Sequence, residues 1–154
     1  MEPGLKSIIV AVAPDTDIYA SGDLIGEKLT ISNPLGGSGG KGRLLSIVLA
    51  DRAKNSAAID LILFDANPSA TTFTDNGPLT IVDADLSRIC GVIPIVANDY
   101  AEFVDNTVFC LYNINLGIAL RGSTKDLYAC LVSRGTPTFA ATTDLQLILT
   151  LTQN

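Results

Sequence analysis

The C-terminal stretch DLQLILTLTQ, residues 144–153, alternates between leucine and mostly polar residues with a period of two. The leucines are Leu145, Leu147, Leu149 and Leu151. Successive side chains of a β-strand point to opposite faces, so this period is typical of a strand with one buried face. The stretch therefore predicts a β-strand whose leucines pack into a core.

Similar apolar runs, separated by turn residues, recur along the chain. Between Val108 and Leu120 the even positions are apolar, which predicts one long bent strand or two strands with a kink near Asn113. Pro94 interrupts an apolar run and so predicts an edge strand or a bulge there. Further candidate strands span 7–13, 17–20, 28–32, 43–50, 58–65 and 126–134. The runs 43–50 and 58–65 are expected to pair as a hairpin through the polar loop DRAKNSA.

One short helix is predicted, with Asp83 as its N-cap, residues 84–90 as its body and Gly91 as its C-cap. About nine or ten short strands and a single helix indicate an all-β protein. We expect one β domain over residues 1–154, a jelly-roll-like sandwich or a related barrel. Residues 1–14 are expected to form an N-terminal arm or an edge strand.

The composition restricts the classes of partner. The chain of 154 residues carries a net charge of −6, which argues against a nucleic-acid partner. The apolar run at 8–13 is too short to span a membrane and lacks the preceding positive charge of a signal peptide. Only 17% of the residues are charged, below the usual quarter, and 47% are hydrophobic. Either the core is large, or another protein covers part of the surface.

The loop NPLGGSGGKGRLLSI, residues 33–47, contains fragments of three functional motifs. Gly37, Gly39 and Gly42 match a dinucleotide-binding fingerprint, but that site needs a helix after the loop, and RLLSIVLAD has the character of a strand. A P-loop would need glycine at position 35, which is Leu35, and Ser or Thr at position 42. A nucleophile elbow centred on Ser38 would need a histidine base, and the chain has none.

The remaining interpretation of this loop is a flexible connector between two strands, whose tip becomes ordered against a partner. Lys41 and Arg43 are then placed to reach acidic groups on that partner. The residues that we assign to this contact loop are Asn33, Leu35, Ser38, Lys41 and Arg43.

No other pattern points to catalysis or to a bound group. The pairs Asp15–Asp17 and Asp83–Asp85 lack the rest of a calcium loop and are interpreted as a turn and a helix cap. Zinc is not expected, because histidine and paired cysteines are missing. The three cysteines lie in apolar runs and are expected to be buried thiols in a reducing compartment: Cys90, Cys110 and Cys130. We therefore expect no catalytic residues, no cofactor and no metal.

Segments 19–33 and 36–95 resemble a family of small head-associated proteins of tailed bacteriophages, the capsid cement or decoration proteins. The resemblance lies in a Y-x-x-G-D-x-I-G start, a glycine loop before an L-x-S-I-V-L-x-D strand, an L-x-L-F-D-x-N-P-S-x-T-T-F-T-D-N stretch and an A-D-L-x-x-I-x-G segment. The residues that carry it are Tyr19, Gly22, Asp23, Ile25, Gly26, Asp51, Phe64, Pro68, Asp75, Asn76 and Gly91.

This resemblance implies a structural virion protein that binds the outside of a phage head and clamps major capsid subunits, after assembly in the bacterial cytoplasm. It supplies no active-site residues, so we expect a binding protein rather than an enzyme. Contacts are expected on apolar strand faces, on the segment before Pro14 and on the loop at 33–43. We also expect self-association, as a dimer or else a trimer, and no nucleic-acid or membrane partner. The alternatives are a tail or baseplate β-module and a carbohydrate-binding receptor-recognition domain.

Overall fold

A computed structural model describes residues 4–154, which form ten strands and one α-helix. The strands are β1 (Gly4–Ala11), β2 (Leu24–Ile31), β3 (Lys41–Asp51), β4 (Ile59–Phe64), β5 (Ile89–Ile95), β6 (Tyr100–Glu102), β7 (Thr107–Leu111), β8 (Leu116–Ala119), β9 (Leu127–Ser133) and β10 (Leu145–Gln153). The helix α1 spans Asp83–Leu86, and a 3-10 turn spans Ala97–Asp99. No helix among the described residues is long and apolar enough to cross a membrane.

The strands form two antiparallel sheets that pack face to face. Sheet I has the order β1-β10-β3-β7-β6, and β8 pairs with the first part of β3, beyond β7. Sheet II has the order β2-β9-β4-β5. The chain passes repeatedly between the sheets and returns β9 and β10 beside the early strands, which is the jelly-roll arrangement of two interleaved Greek keys. The expected all-β sandwich is confirmed, and the described strands do not close into a barrel.

The core lies between the sheets, and β10 supplies its centre. The four leucines of the C-terminal stretch are at most 1% exposed. In register, Leu147 lies beside Leu49 of β3, and Leu49 lies beside Phe109 of β7, so one buried row crosses three strands. The period of two in residues 144–153 therefore corresponds to a strand with one buried face, as predicted.

A second apolar cluster lies on the outer face of sheet II. Residues 65–88, between β4 and β5, form a layer that packs over this face through Phe73, Leu79 and Ile81. Beneath the layer lie residues from three strands of the sheet: Leu24, Ile62, Phe64, Cys130 and Val132. The two outer faces of the sandwich consequently differ, because sheet II is covered by this layer.

The expected hairpin between 43–50 and 58–65 is wrong, because β3 belongs to sheet I and β4 to sheet II. The Asp51 side chain organises the crossing loop. Its carboxylate oxygens accept hydrogen bonds from the backbone N–H groups of Asn55 at 2.7 Å and Ser56 at 3.0 Å. Burial raises the pKa of Asp51 above its usual value. The loop turns the chain into the opposite sheet instead of back along the same one.

Two further expectations are corrected. The helix ends at Leu86 instead of residue 90, and its N-cap is Val82 instead of Asp83, without a side-chain cap. Ile89 already pairs with Phe64, so the chain has returned to a strand before the expected C-cap at Gly91. Residues 17–20 form no strand, since Tyr19 is held in a loop by its backbone N–H donating to the Pro137 carbonyl.

Other details match the sequence analysis. The run from 108 to 120 forms two strands, β7 and β8, with Asn113 at φ 63° in the bend between them. Pro94 lies on β5, which is an edge strand of sheet II. Within residues 1–14, Gly4–Ala11 form the edge strand β1, residues 12–14 follow it without regular structure, and residues 1–3 lie outside the described part of the chain.

Candidate interaction site at the glycine-loop end

The glycine-rich loop, residues 32–40, crosses from β2 in sheet II to β3 in sheet I and is anchored at several points. Leu35 is only 2% exposed and packs into the core. The backbone N–H of Asn33 donates to the Asp126 carboxylate at 3.0 Å, and that of Gly39 donates to the Thr124 carbonyl at 2.9 Å. The side chain of Gln153 donates to the Pro34 carbonyl at 2.9 Å. These contacts fix the loop to the segment before β9 and to the end of β10, so the expectation of a flexible connector is wrong.

The glycines of the apparent motifs serve the conformation and packing of this loop. Gly39 has φ 65°, in the left-handed region that favours glycine. A Cβ atom at Gly42 would lie 1.8 Å from the Thr152 carbonyl oxygen and 2.7 Å from Leu35 Cδ2, so only glycine permits this approach of β3 to β10 and the loop. The element after the loop is a strand, so the helix N-terminus that binds phosphate in the dinucleotide fold does not follow these glycines.

Five of the ten cationic residues of the chain lie on segments that meet at this end of the sandwich, which we call the glycine-loop end. They are Lys6, Lys41, Arg43, Arg121 and Lys125. Lys6 Nζ donates to the Asn33 carbonyl at 2.9 Å, and Lys41 lies beside Ala119 in the register of β3 and β8. Arg121 and Lys125 lie in the same segment as Thr124, whose carbonyl accepts the hydrogen bond from Gly39 of the glycine-rich loop.

Most of these cations have no acidic partner. Arg121 pairs with Asp65 at 2.9 Å. Arg43 donates to the neutral side chain of Asn115 at 2.8 Å. Within residues 4–154, no carboxylate comes within 4.0 Å of the charged groups of Lys6, Lys41, Arg43 or Lys125. Four cations at the glycine-loop end therefore lack an ion-pair partner, on a chain whose net charge is −6.

The opposite end of the sandwich is acidic. The end of β3 lies there beside the starts of β7 and β10, as the pairing of Asp51 with Thr107 and Leu145 shows. The carboxylates on the loops and strand ends in this region include Asp15, Asp17, Asp51, Asp99, Glu102, Asp105 and Asp144. The cations at this end are Arg52, Lys54 and Arg134. Charge is thus separated along the long axis of the sandwich, which orients the molecule in the field of a charged partner.

The structure places the five predicted contact residues unequally. Ser38 is exposed in the loop, and Lys41 and Arg43 are exposed at successive outward positions of β3. Asn33 is exposed, but its backbone is engaged on both sides. Leu35 is buried, so its side chain anchors the loop and does not reach the surface.

Sequence reasoning missed three of the cations at this end, namely Lys6, Arg121 and Lys125. The residues between the apolar run that ends at Leu120 and the candidate strand at 126–134 are polar or glycine, but no local signal links that segment to Gly39. The two meet because β8 pairs with the start of β3, which carries residues 120–126 to the glycine loop. Only the topology of the sheets brings these charges together.

Several residues behind the phage resemblance meet in one hydrogen-bond network at the acidic end. The Tyr19 hydroxyl donates to Asp75 at 2.7 Å, and the backbone N–H of Gly26 donates to the same carboxylate at 2.8 Å. The Asn76 side chain donates to Asp15 at 3.1 Å. Burial and the hydrogen bond to Asp75 raise the pKa of Tyr19, so its hydroxyl stays a donor at neutral pH. These residues fasten the loop before β2 to the layer over sheet II, which is a structural role.

The cysteines differ in their surroundings. Burial raises the pKa of Cys90 and of Cys130 to about 12, so both thiols stay protonated at neutral pH. Cys130 is buried as expected, but Cys90 is only partly buried and Cys110 is exposed, so the expectation of three buried thiols is wrong for Cys110 and holds only in part for Cys90. The side chain of Cys110 lies on the outer face of sheet I, because the alternate residue Phe109 fills the core.

A scan against models of protein families finds no match for this chain, and no curated protein matches it. The candidate site is therefore defined by its own geometry, as an anchored loop surrounded by cations that lack carboxylate partners.

Proposed function

We propose that this chain is a capsid decoration protein, which binds the outside of a tailed-phage head and bridges major capsid subunits. The observation that carries the proposal is the glycine-loop end, where Lys6, Lys41, Arg43 and Lys125 have no carboxylate partner within residues 4–154. Such a surface is complementary to an acidic protein surface. The resemblance to phage decoration proteins in residues 19–33 and 36–95 supplies the class of partner, and the jelly-roll fold agrees with it.

Anchoring of the loop favours tight docking. Leu35 in the core and the hydrogen bonds to Asp126 and Thr124 hold the loop before any partner arrives. A binding surface that is already ordered loses less conformational entropy on association. The exposed cations of β3 project from a paired strand, so their positions are set by the sheet.

An acidic capsid surface is a better partner for this end than a nucleic acid. A polyanion extends well beyond four cations and would meet the carboxylates of the rest of the chain, whose net charge is −6. A protein surface can confine its acidic groups to the area of contact. The proposed binding is weakened by salt, because its attraction comes from exposed charges.

Decoration of this kind strengthens a shell by contact alone. A specific protein contact buries on the order of 1,200–2,000 Å². A protein that touches two subunits resists their separation, because each contact raises the effective concentration for the other. No chemical step is required of the decoration protein.

Adding the protein to phage heads that lack it tests the proposal. The temperature at which the heads release DNA is measured with and without added protein, and an unrelated acidic protein of similar size serves as the control. We expect the protein to bind the heads and to raise the release temperature, while the control does neither. If the protein neither binds nor raises this temperature, the proposal is wrong, and a tail or baseplate module becomes the better interpretation.

A further inference from the structure

The outer face of sheet I is uncovered, and between Arg43 and Arg52 it carries no charged side chain. We call it the bare face and define it by fourteen outward residues: Leu5, Ser7, Ile9, Ala11, Ser46, Val48, Ala50, Ala101, Val108, Cys110, Gln146, Ile148, Thr150 and Thr152. None of these residues is buried, and all of them are neutral. Arg43 bounds the face at the glycine-loop end, and Arg52 bounds it at the other end through a 3.1 Å hydrogen bond to Gln146.

The centre of the bare face is an apolar row. Ile9, Ile148, Val48 and Cys110 lie side by side in register across β1, β10, β3 and β7. Ile9 is 65% exposed at the edge of this row. The rows on either side consist mainly of alanine, serine and threonine, whose short side chains permit another sheet to approach closely. The solvent face of an antiparallel sheet is normally polar, so this face has the character of an interface.

The outer face of sheet II differs from that of sheet I, because it is covered or charged. There, residues 65–88 cover the apolar side chains. Where the face of sheet II reaches solvent it is charged, with the Asp60–Arg134 pair at 2.8 Å and Lys28 beside the rings of Phe73 and Tyr128. No segment of the described chain covers the outer face of sheet I.

We propose that the bare face binds the bare face of a second copy of this chain, to form a two-fold dimer of stacked sheets. A second copy suits the face because the contact brings no like charges close together, so the repulsion between two chains of net charge −6 acts only at a distance, where salt screens it. Isologous contact needs only one self-complementary patch, and it is the commonest form of oligomer. This inference is independent of the proposed docking of the glycine-loop end.

The area of the face suits a weak dimer. The face is five strands wide, with about 4.8 Å between strands, and extends about 20 Å along the strands. Its area is therefore roughly 500 Å² for each copy, or about 1,000 Å² in total. This total lies at the lower limit for a specific interface. Stacked sheets lie about 10 Å apart, a spacing that the small residues around the central row permit. We therefore expect association in the micromolar range.

Sedimentation equilibrium of the isolated protein, from about 1 μM to about 500 μM, tests the dimer over the expected affinity range. Ile9→Lys and Val48→Lys each place a charge on the bare face. Ile18→Lys is a matched control, because Ile18 is 64% exposed and lies in the loop before β2, away from sheet I. Thermal melts establish that each variant is folded, and the strongly exposed Ile9 keeps the test valid if Val48→Lys does not fold.

We expect the wild type and Ile18→Lys to approach twice the 16.1 kDa monomer mass as the concentration rises. The folded bare-face variants are expected to dissociate at least about tenfold more readily, because a two-fold contact brings two new lysines into one apolar interface. The dimer is also expected to persist at about 0.5 M salt, where docking through exposed charges weakens, so its failure is distinguishable from failure of the proposed function. A wild type that stays monomeric throughout, or folded Ile9→Lys that associates as tightly as wild type, overturns the proposal.

Discussion

Asp85 is enclosed completely, yet its surroundings favour the charged carboxylate. Burial by itself would raise its pKa. Hydrogen bonds from the backbone N–H groups of Thr71 at 2.7 Å and Ala70 at 3.1 Å, together with the charge of Arg88, outweigh burial and lower it. The same carboxylate thus joins the start and the end of the layer over sheet II. The stabilisation that this carboxylate gives to the layer is therefore expected to decrease in acid.

The pH dependence of stability follows from this lowered pKa. A carboxyl group with a lower pKa in the folded state stabilises the fold above its unfolded value of about 3.9 and loses that contribution as the pH falls through the folded value. We expect the thermal midpoint to fall as the pH drops below about 4, and Asp85→Asn to have a lower midpoint at pH 7 and a shallower decline in acid. Differential scanning calorimetry between about pH 2.5 and pH 7 measures both effects.

The exposed neighbour Asp83 provides the control. Asp83→Asn should keep the wild-type stability at pH 7 to within about 0.5 kcal/mol, as is usual for surface substitutions. An Asp85→Asn variant as stable as the wild type at pH 7 would contradict the role assigned to this carboxylate.

The spacing of Asp83 and Asp85 predicted a helix cap but not these partners. An aspartate before an apolar run is typical of an N-cap, so Asp83 was the expected capping residue. The groups that bind Asp85 belong to residues 70 and 71, and no local pattern records that proximity. The N-cap pattern made the short helix predictable. Its length and the hydrogen-bond partners of Asp85 depend on the tertiary structure and were not predictable.

Strand β3 illustrates how one element serves the core, the loop and the surface. Its inward residues, including Leu44, Ile47 and Leu49, are fully buried. Lys41 and Arg43, near the start of the strand, project outward and are exposed. Gly42 lies between the two cations and admits the carbonyl of Thr152 and the side chain of Leu35. The position of both exposed cations therefore depends on the smallest side chain in the strand.

Gly42→Ala tests this packing. The added methyl group would overlap the Thr152 carbonyl, so β3 and β10 must separate locally. We expect a loss of about 1–3 kcal/mol in the free energy of unfolding, as is typical of overpacking. Chemical denaturation measures the change. Gly117→Ala on the adjoining strand β8 is the control, because a Cβ there meets no atom within 4 Å and should change stability by less than about 0.5 kcal/mol. Equal stability of the two variants would show that Gly42 is not constrained.

Strand periodicity predicted most of the elements but not their partners. The leucines of residues 145–151 identify β10, since a buried face requires a period of two. The same period in 43–50 and 58–65 is compatible with pairing in one sheet or with placement in two. The structure has the two strands in different sheets. The carboxylate of Asp51 holds the loop between them through hydrogen bonds from backbone N–H groups, and the composition of the loop does not predict these bonds.

The two proposed docking surfaces of the molecule are expected to respond differently to salt. Docking through the exposed charges of the glycine-loop end should weaken as ionic strength rises. The proposed dimer rests on apolar burial between chains of like net charge, so salt should not weaken it. A decoration protein with both surfaces can bind the shell at one end and its own copy at the side, and each contact then raises the effective concentration for the other.

The measurement that most directly tests the role of the glycine-loop end is binding of charge-reversed variants to heads that lack the protein. Lys41→Glu/Arg43→Glu reverses two cations at this end, and Arg52→Glu/Lys54→Glu reverses two at the acidic end. Binding is measured by co-sedimentation with the heads at physiological salt. We expect the first variant to bind at least about tenfold more weakly than the wild type, because like charges opposed across an interface repel strongly, and the second to bind within about threefold of it. A folded Lys41→Glu/Arg43→Glu variant that binds the heads as tightly as the wild type would contradict docking through the glycine-loop end.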